Sequence, residues 1–261
     1  MPANFFWQLG AWGRFYLQAR SWRRTHPPHL FHLFEAMQQP VHHVDVEALK
    51  RGWRRDTTPL TAADAGAGSR RKGARTVRKV ARTALKSATE AGGLAQIARG
   101  LNARQVLELG TCLGATTAVI ARTGAHVTTI EADPTLAARA AEAWRKLGVS
   151  ERIDGQVGTF ADRLDELEPE WRAAKHPGFE LIFIDGHHEG DALKSYVERL
   201  LPWLAQDRVA AIVCDDIRWS PGMWEAWESV AEGWPVAVDL GGMGLLLDGP
   251  RLTPFHRAVR L

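Results

Sequence analysis

The sequence predicts an α/β protein built on a doubly wound, mostly parallel sheet of seven strands. From about Leu101 onward, strand-like apolar runs alternate with helical segments, and repeated β–α units of this kind give a parallel sheet covered by helices on both faces. Near the C-terminus, two more apolar runs flank Gly241 and Gly242. This pattern indicates a hairpin, which would add one antiparallel strand at the edge of the sheet.

The elements of this α/β region follow each other in a regular order. The strands before the hairpin are predicted at 105–110, 126–132, 152–158, 179–186 and 208–216. Helices are predicted between them at 115–122, 134–147, 161–167 and 190–204. A further helix begins at the cap formed by Ser220 and Pro221 and ends just before Gly233.

The N-terminal part of the chain has a different character, so we predict two parts: a helical, aromatic extension at 1–89 and the α/β domain at 90–261. Apolar residues recur at helical spacing over 5–17, and Pro27 and Pro28 separate this segment from the next helix-like run. We expect an amphipathic helix that packs on the main domain or across a homodimer. A helix lying on a membrane surface is the alternative.

The second half of the extension is basic. A glycine-rich stretch from Asp64 to Gly73 lacks the residue order of a P-loop, and no strand precedes it. We predict a flexible loop that closes over the ligand, followed by a helix over 74–88. Two interpretations account for the positive charges: a solvated face, or a surface that binds an anionic substrate or RNA. The charged residues are Lys50, Arg51, Arg54, Arg55, Arg70, Arg71, Lys72, Arg75, Arg78, Lys79, Arg82 and Lys86.

Composition narrows the class of protein. Of 261 residues, 45% are hydrophobic and 24% are charged, and the net charge of +3 does not by itself require nucleic acid. No stretch approaches about 18 uncharged apolar residues, so we predict no membrane span. The aromatic start lacks a small-residue cleavage site, so we expect no signal peptide. Cys112 and Cys214 lie in or beside strand-like runs, which favours free thiols and a cytoplasmic location.

The turn after the first strand, Glu108 to Gly114, predicts a ligand site. Gly110 and Gly114 let the backbone turn tightly and approach a ligand closely, although Cys112 replaces the middle glycine of a dinucleotide motif. Glu131 ends the second strand about 20 residues later, where a carboxylate can accept hydrogen bonds from both hydroxyls of a ribose. The combination predicts an adenosine-type ligand.

The charge of this turn favours one adenosine ligand over another. Pyrophosphate binds at helix N-termini, and Glu108 would repel it. A carboxylate suits a ligand with an ammonium or sulfonium group, and S-adenosylmethionine (SAM) has both. The alternative is that Glu108 pairs locally.

At these residues the chain resembles the class I SAM-dependent methyltransferases, which have a Rossmann-like fold. LELGTCLGATT is particularly similar to the turn of catechol and caffeoyl-CoA type O-methyltransferases, and the likeness covers about 90–247. The strand ends IDGxH and DDIxW, the D-x-G-A-G-S loop and the aromatic start resemble a bacterial subgroup of unassigned substrate. Phe160 replaces a polar residue beside the adenine, where it could stack. We predict cofactor contacts at Glu108, Gly110, Thr111, Gly114, Glu131, Ala132, Gly158, Thr159, Phe160, Asp185 and His187.

Three carboxylates are expected to converge at one edge of the sheet. Asp185 ends the fourth strand, and Asp215 and Asp216 end the fifth. Like charges held close together need a cation or a proton, and Mg²⁺ or Mn²⁺ suits oxygen ligands. The resemblance implies the same metal site, with Asp-Asp here in place of Asp-Asn. The alternative is that Asp216 caps a turn, Asp215 pairs with Arg218 and no metal binds.

The segment LIFIDGHHEG places two histidines, His187 and His188, directly after the fourth strand. The resemblance assigns the position of His188 to the general base, which is lysine in the catechol type and histidine in some sugar O-methyltransferases. Imidazole can take a proton near neutral pH. We predict catalytic roles for His188 and Asp185 and a cofactor contact for His187; the alternative is that both histidines are surface or capping residues.

The leading hypothesis is therefore SAM-dependent O-methylation of a small hydroxylated acceptor, assisted by a divalent metal. RNA or protein methylation is one alternative, because the segment 46–86 is basic, although no N/D-P-P-Y motif follows the fourth strand. A non-catalytic SAM-binding or scaffold protein is another, with the Trp-rich N-terminus as its interaction surface. The charge of Glu108 disfavours a dehydrogenase.

Overall fold

A computed structural model of the protein describes residues 4–25, 27–39, 41, 43–60, 75–173 and 177–261. The strands are β1 (Arg20–Ser21), β2 (Gln105–Leu109), β3 (His126–Glu131), β4 (Ile153–Val157), β5 (Leu181–Ile184), β6 (Ala210–Cys214), β7 (Val236–Asp239), β8 (Gly244–Asp248) and β9 (Phe255–Arg260). The helices are α1 (Phe5–Gln18), α2 (Pro28–Met37), α3 (Val44–Trp53), α4 (Val77–Thr83), α5 (Ala88–Gly100), α6 (Ala115–Ala121), α7 (Pro134–Leu147), α8 (Phe160–Ala173), α9 (Gly190–Leu200) and α10 (Pro221–Glu232). The predicted loop from Asp64 to Gly73 lies outside the described residues.

Within the described residues the strands form one sheet in the order β1-β9-β7-β8-β6-β5-β2-β3-β4. Only β8 in this part of the chain runs antiparallel to its neighbours, β6 and β7. The seven predicted strands correspond to β2–β8, so the doubly wound α/β fold class is confirmed. β1 and β9 are additional. β8 lies inside the sheet rather than at its edge, because β7 pairs with its other side and β9 then pairs with β7.

Alternate residues of the central strands face two layers of helices. In β5, Leu181 and Phe183 belong to a buried cluster with residues of α2, α5, α6 and α7, whereas Ile182 and Ile184 pack with residues of α8, α9 and α10. Successive side chains of a strand point to opposite faces, which explains the division. Because helices cover both faces, the carboxyl ends of the strands are left to bind a ligand.

The N-terminal segment packs on the α/β region, as expected. α1 buries Ala11 and Phe15, and β1 pairs with β9, so part of the predicted extension joins the main sheet. The next helix begins at Pro28, in agreement with the proline pair. No helix among the described residues is long and apolar enough to cross a bilayer.

The helix predicted over 74–88 is wrong in its extent. α4 ends at Thr83 and α5 begins at Ala88, because Ser87 caps the second helix. The Oγ of Ser87 accepts a hydrogen bond from the N–H of Glu90, and the N–H of Ser87 donates to the Glu90 carboxylate. The turn between the helices carries Lys86 to the carboxyl ends of the strands.

Candidate active site

A crevice of about 500 Å³ lies at the carboxyl ends of β2, β3, β5 and β6, a volume typical of small-molecule sites. The predicted site residues that line it are Gly110, Glu131, Ala132, Thr159, Phe160, Asp185, His187, His188 and Asp216. The predicted residues that do not line it are Glu108, Thr111, Gly114, Gly158 and Asp215. Residues of the lining that the sequence did not single out include Glu90, Cys112 and Trp219.

The two glycines of the first turn have different roles. Gly110 has φ +110°, and a Cβ there would lie 2.0 Å from the carbonyl oxygen of Asp185, so only glycine allows the turn to approach the end of β5. Gly114 has φ +73°, and a Cβ there would lie 2.8 Å from the Cβ of Ala140 in α7. Gly110 therefore shapes the crevice, whereas Gly114 allows two helices to pack.

Glu131 is held at the crevice by backbone donors. One carboxylate oxygen accepts from the N–H of Cys112 at 2.8 Å and the other from the N–H of Asp133 at 2.9 Å. Burial raises the pKa of this carboxyl. Each carboxylate oxygen can accept more than one hydrogen bond, so both retain capacity for hydroxyl groups of a ligand.

Glu108 lies behind the turn and not beside the crevice. It is 0% exposed, and its Oε2 accepts hydrogen bonds from the hydroxyls of Thr117 and Thr129 at 2.5 and 2.6 Å. Burial raises the pKa of Glu108 to about 7. The expected contact with a cationic ligand is thus replaced by local pairing, because the side chain points towards α6 and β3. Thr111 joins the same network through Thr129.

An aromatic wall closes another side of the crevice. Nδ1 of His187 lies 2.9 Å from the hydroxyl of Tyr196, and the Phe160 ring meets the Tyr196 ring edge-on at 5.7 Å. The Phe160 ring also lies against Gly186, where an added Cβ would approach it to 2.8 Å. This arrangement gives an adenine ring an apolar surface on which to pack.

The structure brings the three carboxylates together with a lysine. Nζ of Lys86 contacts Oδ2 of Asp215 and lies 3.6 Å from Oδ2 of Asp185. Asp216 instead faces His188, with Oδ2 3.6 Å from Nε2. The alternative pairing of Asp215 with Arg218 is wrong, because Arg218 binds Asp239.

Burial and mutual repulsion alter the charges of this cluster. Burial, and then the charge of Asp215, raise the pKa of Asp185 well above its usual range. The same two causes raise the pKa of Asp216. Burial opposes the charge of Lys86, but the carboxylates of Asp185 and Asp215 outweigh it and raise the pKa of the ammonium. Lys86 is therefore a cation throughout the neutral pH range.

A comparison with known families finds a similarity over the central part of the chain. Residues 107–217 match the family model described as a methyltransferase domain. This segment of the chain is therefore similar to methyltransferase domains. The matched residues run from β2 to the loop after β6, so they include most of the crevice. No protein with a curated description matches the chain.

Solved structures share the fold of this chain. The O-methyltransferase TomG of Streptomyces achromogenes, in complex with SAM, is 19% identical with a TM-score of 0.56, over 82% of this chain and 93% of that one. An O-methyltransferase from Bacillus cereus, with S-adenosylhomocysteine (SAH), is 23% identical with a TM-score of 0.51, over 63% and 82%. A SAH-bound methyltransferase from Podospora anserina is 17% identical with a TM-score of 0.53, over 94% and 97%.

The residues of the crevice fit SAM. Glu131 offers acceptors to ribose hydroxyls, and the ring of Phe160 offers a surface to adenine. A divalent metal fits less well, because the ammonium of Lys86 already lies against Asp185 and Asp215. In the described part of the chain, no group of three or more His, Cys, Asp or Glu side chains is arranged to hold a metal ion.

The loop after β6 supplies an outer wall of the crevice. Trp219 is 50% exposed, and its ring lies 5.8 Å from that of His188. Its carbonyl oxygen accepts hydrogen bonds from the side-chain amides of Asn4 and Gln8, at 3.3 and 2.9 Å. The N-terminal segment of the chain therefore supports the wall beside His188.

Sequence reasoning missed Lys86 as a site residue, although a signal was available. It grouped Lys50 and Lys86 with the basic residues of a solvated face, yet their side chains are 2% and 11% exposed, so that interpretation is wrong for these two. The S-x-x-E pattern at Ser87 to Glu90 is a capping box and marks a helix start. It would have placed Lys86 in a turn rather than inside a helix.

Proposed function

We propose that this methyltransferase transfers the methyl group of SAM to a hydroxyl of a small acceptor bound beside His188. The observation that carries this proposal is the pair formed by His188 and Asp216, with 3.6 Å between Nε2 and Oδ2, in the wall of the crevice. A carboxylate beside an imidazole orients the ring and stabilises its protonated form. The pair therefore suits a general base that removes a proton from the acceptor.

Two residues would make the chain's main contacts with the cofactor, one at the end of β3 and one at the start of α8. Glu131 would accept hydrogen bonds from the ribose hydroxyls, and Phe160 would pack on the adenine. When bound, SAM supplies an electrophilic methyl group, and attack by the acceptor oxygen forms the O–CH₃ bond while the S–CH₃ electron pair stays on sulfur, giving SAH. His188 takes the hydroxyl proton. Because the sulfonium is already an activated leaving group, the protein's main tasks are alignment and proton removal.

The descriptions of proteins that share the fold favour a hydroxyl group as the acceptor. The Bacillus cereus and Streptomyces achromogenes proteins are both described as O-methyltransferases, and the latter as involved in tomaymycin synthesis. The half-exposed Trp219 beside His188 offers a flat apolar surface, which suits an aromatic or sugar ring. A small hydroxylated ring compound is therefore the acceptor class that we propose.

A methyl-transfer assay tests the proposal. The protein would be incubated with methyl-labelled SAM and, separately, with phenols, sugars and bulk RNA, while calorimetry measures SAM binding. We expect SAM binding and label in a phenol or a sugar. Label in RNA alone would favour the nucleic-acid alternative. SAM binding without transfer to any of these acceptors would favour the non-catalytic alternative.

A further inference from the structure

We propose that the ammonium of Lys86 is the cation of this active site, where the sequence predicted Mg²⁺ or Mn²⁺, and that it holds the acceptor oxygen. The inference rests on the proposed O-methyltransferase function, because it gives Lys86 a role towards a hydroxyl acceptor. It concerns this chain's own residues, and the binding of metal can be measured without any acceptor.

The position of Lys86 meets the requirements of such a role. Its Nζ contacts Asp215 and lies 3.6 Å from Asp185, and the side chain lines the crevice while only 11% exposed. An ammonium has three N–H donors. One of them is directed at Asp215, so N–H groups remain for an oxygen atom in the crevice.

The same position obstructs a divalent ion. Mg²⁺ requires near-ideal octahedral oxygen coordination at about 2.1 Å. Two of the three carboxylates that would bind it, those of Asp185 and Asp215, are engaged by Lys86, and the third, that of Asp216, faces His188. A divalent ion among them would also be repelled by the ammonium. Lysine binding and metal binding are therefore mutually exclusive here.

Lys86 is fixed in place by its backbone. Its carbonyl oxygen accepts a hydrogen bond at 2.9 Å from Nζ of Lys50, a buried lysine whose charge is paired with Glu47 at 2.6 Å. On the other side, Ser87 and Glu90 form the capping box of α5. Ordering a lysine side chain costs conformational entropy. Because the turn is held from both sides, Lys86 has fewer conformations to lose when its side chain is ordered.

A lysine cation has a consequence for the acceptor. A metal ion can bind two neighbouring oxygens of a catechol or another vicinal diol, whereas a hydrogen bond from Lys86 needs only one acceptor oxygen. We therefore infer that a single hydroxyl of the acceptor is sufficient. This differs from the metal-assisted acceptors implied by the sequence resemblance.

The test is the binding of Mn²⁺ alone, measured by electron paramagnetic resonance on four full-length proteins: wild type, Lys86→Met, Lys86→Arg and Lys146→Met. Lys146→Met is the control because it also removes one positive charge, in this case from an exposed ion pair with Glu142 that lies outside the crevice. We expect wild type, Lys86→Arg and Lys146→Met to show no specific binding. Lys86→Met should bind Mn²⁺ at least about tenfold more tightly, because the carboxylates are released.

Specific Mn²⁺ binding by the wild type, or loss of its activity in excess EDTA, would overturn the proposal. Equal Mn²⁺ affinity of Lys86→Met and Lys146→Met would overturn it as well. If Lys86→Met does not fold, the wild type and Lys86→Arg still test the proposal. Tight Mn²⁺ binding by either protein would show that the side chain at position 86 does not take the place of a metal ion. If the wild type binds no metal and methylates no hydroxyl acceptor although it binds SAM, the proposed function fails, and the Mn²⁺ result remains a separate finding.

Discussion

The guanidinium of Arg218 donates two hydrogen bonds to the carboxylate of Asp239, at 2.6 and 2.5 Å. Both side chains are buried, and the guanidinium also lies 4.9 Å from the ring of Phe15 and 4.4 Å from that of Trp224. This pair thus connects β7, α1 and the loop that carries Trp219. The wall beside His188 depends on an ion pair that does not itself line the crevice.

We predict that Asp239→Asn lowers the free energy of unfolding by roughly 3–5 kcal/mol, because it leaves a buried guanidinium without its counter-charge. Urea denaturation followed by circular dichroism measures the change. Asp207→Asn is the matched control, since Asp207 pairs with Arg208 at the surface, and it should leave the midpoint unchanged. Similar midpoints for the two variants would show that the Arg218 pair contributes little.

We predict that Glu131→Ala weakens SAM binding by about 1–3 kcal/mol, the usual effect of removing a partner from buried hydrogen-bonding groups. The backbone N–H groups of Cys112 and Asp133 lose their acceptor in this variant, in addition to the ribose hydroxyls. Isothermal titration calorimetry with SAM gives the affinity, and Glu142→Ala at the exposed surface of α7 is the control. Unchanged SAM affinity, or binding of NAD by the wild type, would contradict the assigned cofactor site.

Glu108 should make stability depend on pH. Its pKa is raised from 4.5 to about 7, so between these values the folded protein holds a proton that the unfolded chain has lost. The contribution of this proton to the free energy of unfolding is complete below pH 4.5 and is lost as the pH rises through about 7. We predict that the wild type loses up to about 3 kcal/mol relative to Glu108→Gln between pH 5 and pH 8. Parallel stability curves for the two proteins across this range would be the contrary result.

We predict that His188→Ala lowers kcat by about 10²–10⁴, the usual contribution of a positioned general base. The loss should shrink as the pH rises, because an ionised acceptor no longer needs the base. Steady-state rates from pH 6 to 10, with the acceptor found in the transfer assay, measure both effects, and SAM affinity should stay close to that of the wild type. His126→Ala, at an exposed histidine of β3, is the control. A pH–rate profile of the same shape in His188→Ala and wild type would remove His188 as the base.

The sequence predicts the central sheet because its strands are buried on both faces. Continuous apolar runs such as LIFI mark these strands, and a glycine or an acidic residue marks their ends. β9 was not predicted because it is half exposed and carries polar side chains, so it lacks a continuous apolar run. β1 has two residues, which is too short for any periodic signal.

The position of the site could also be predicted, but not all of its contacts. Strand ends place Glu131, Asp185 and Asp216 at one crevice, since parallel strands end at the same edge of the sheet. The direction of the Glu108 side chain depends on how α6 packs on β2 and β3, which residue spacing does not give. The role of Lys86 depends on a turn between two helices folding back onto β5 and β6, and many other lysines and arginines in the same segment look alike in the sequence.

The pairing of β1 with β9 brings Arg20 beside Val259, so the first and last parts of the chain meet at one edge of the sheet. This contact joins residues far apart in sequence, and such contacts form late in folding. During synthesis on the ribosome, the strands that carry Glu131 and Asp185 can assemble before β9 has emerged. We therefore expect α1, and with it the support for Trp219, to be added last. In hydrogen exchange, the amides of α1 should become protected after those of β2 and β5 during refolding; the reverse order would exclude this sequence of events.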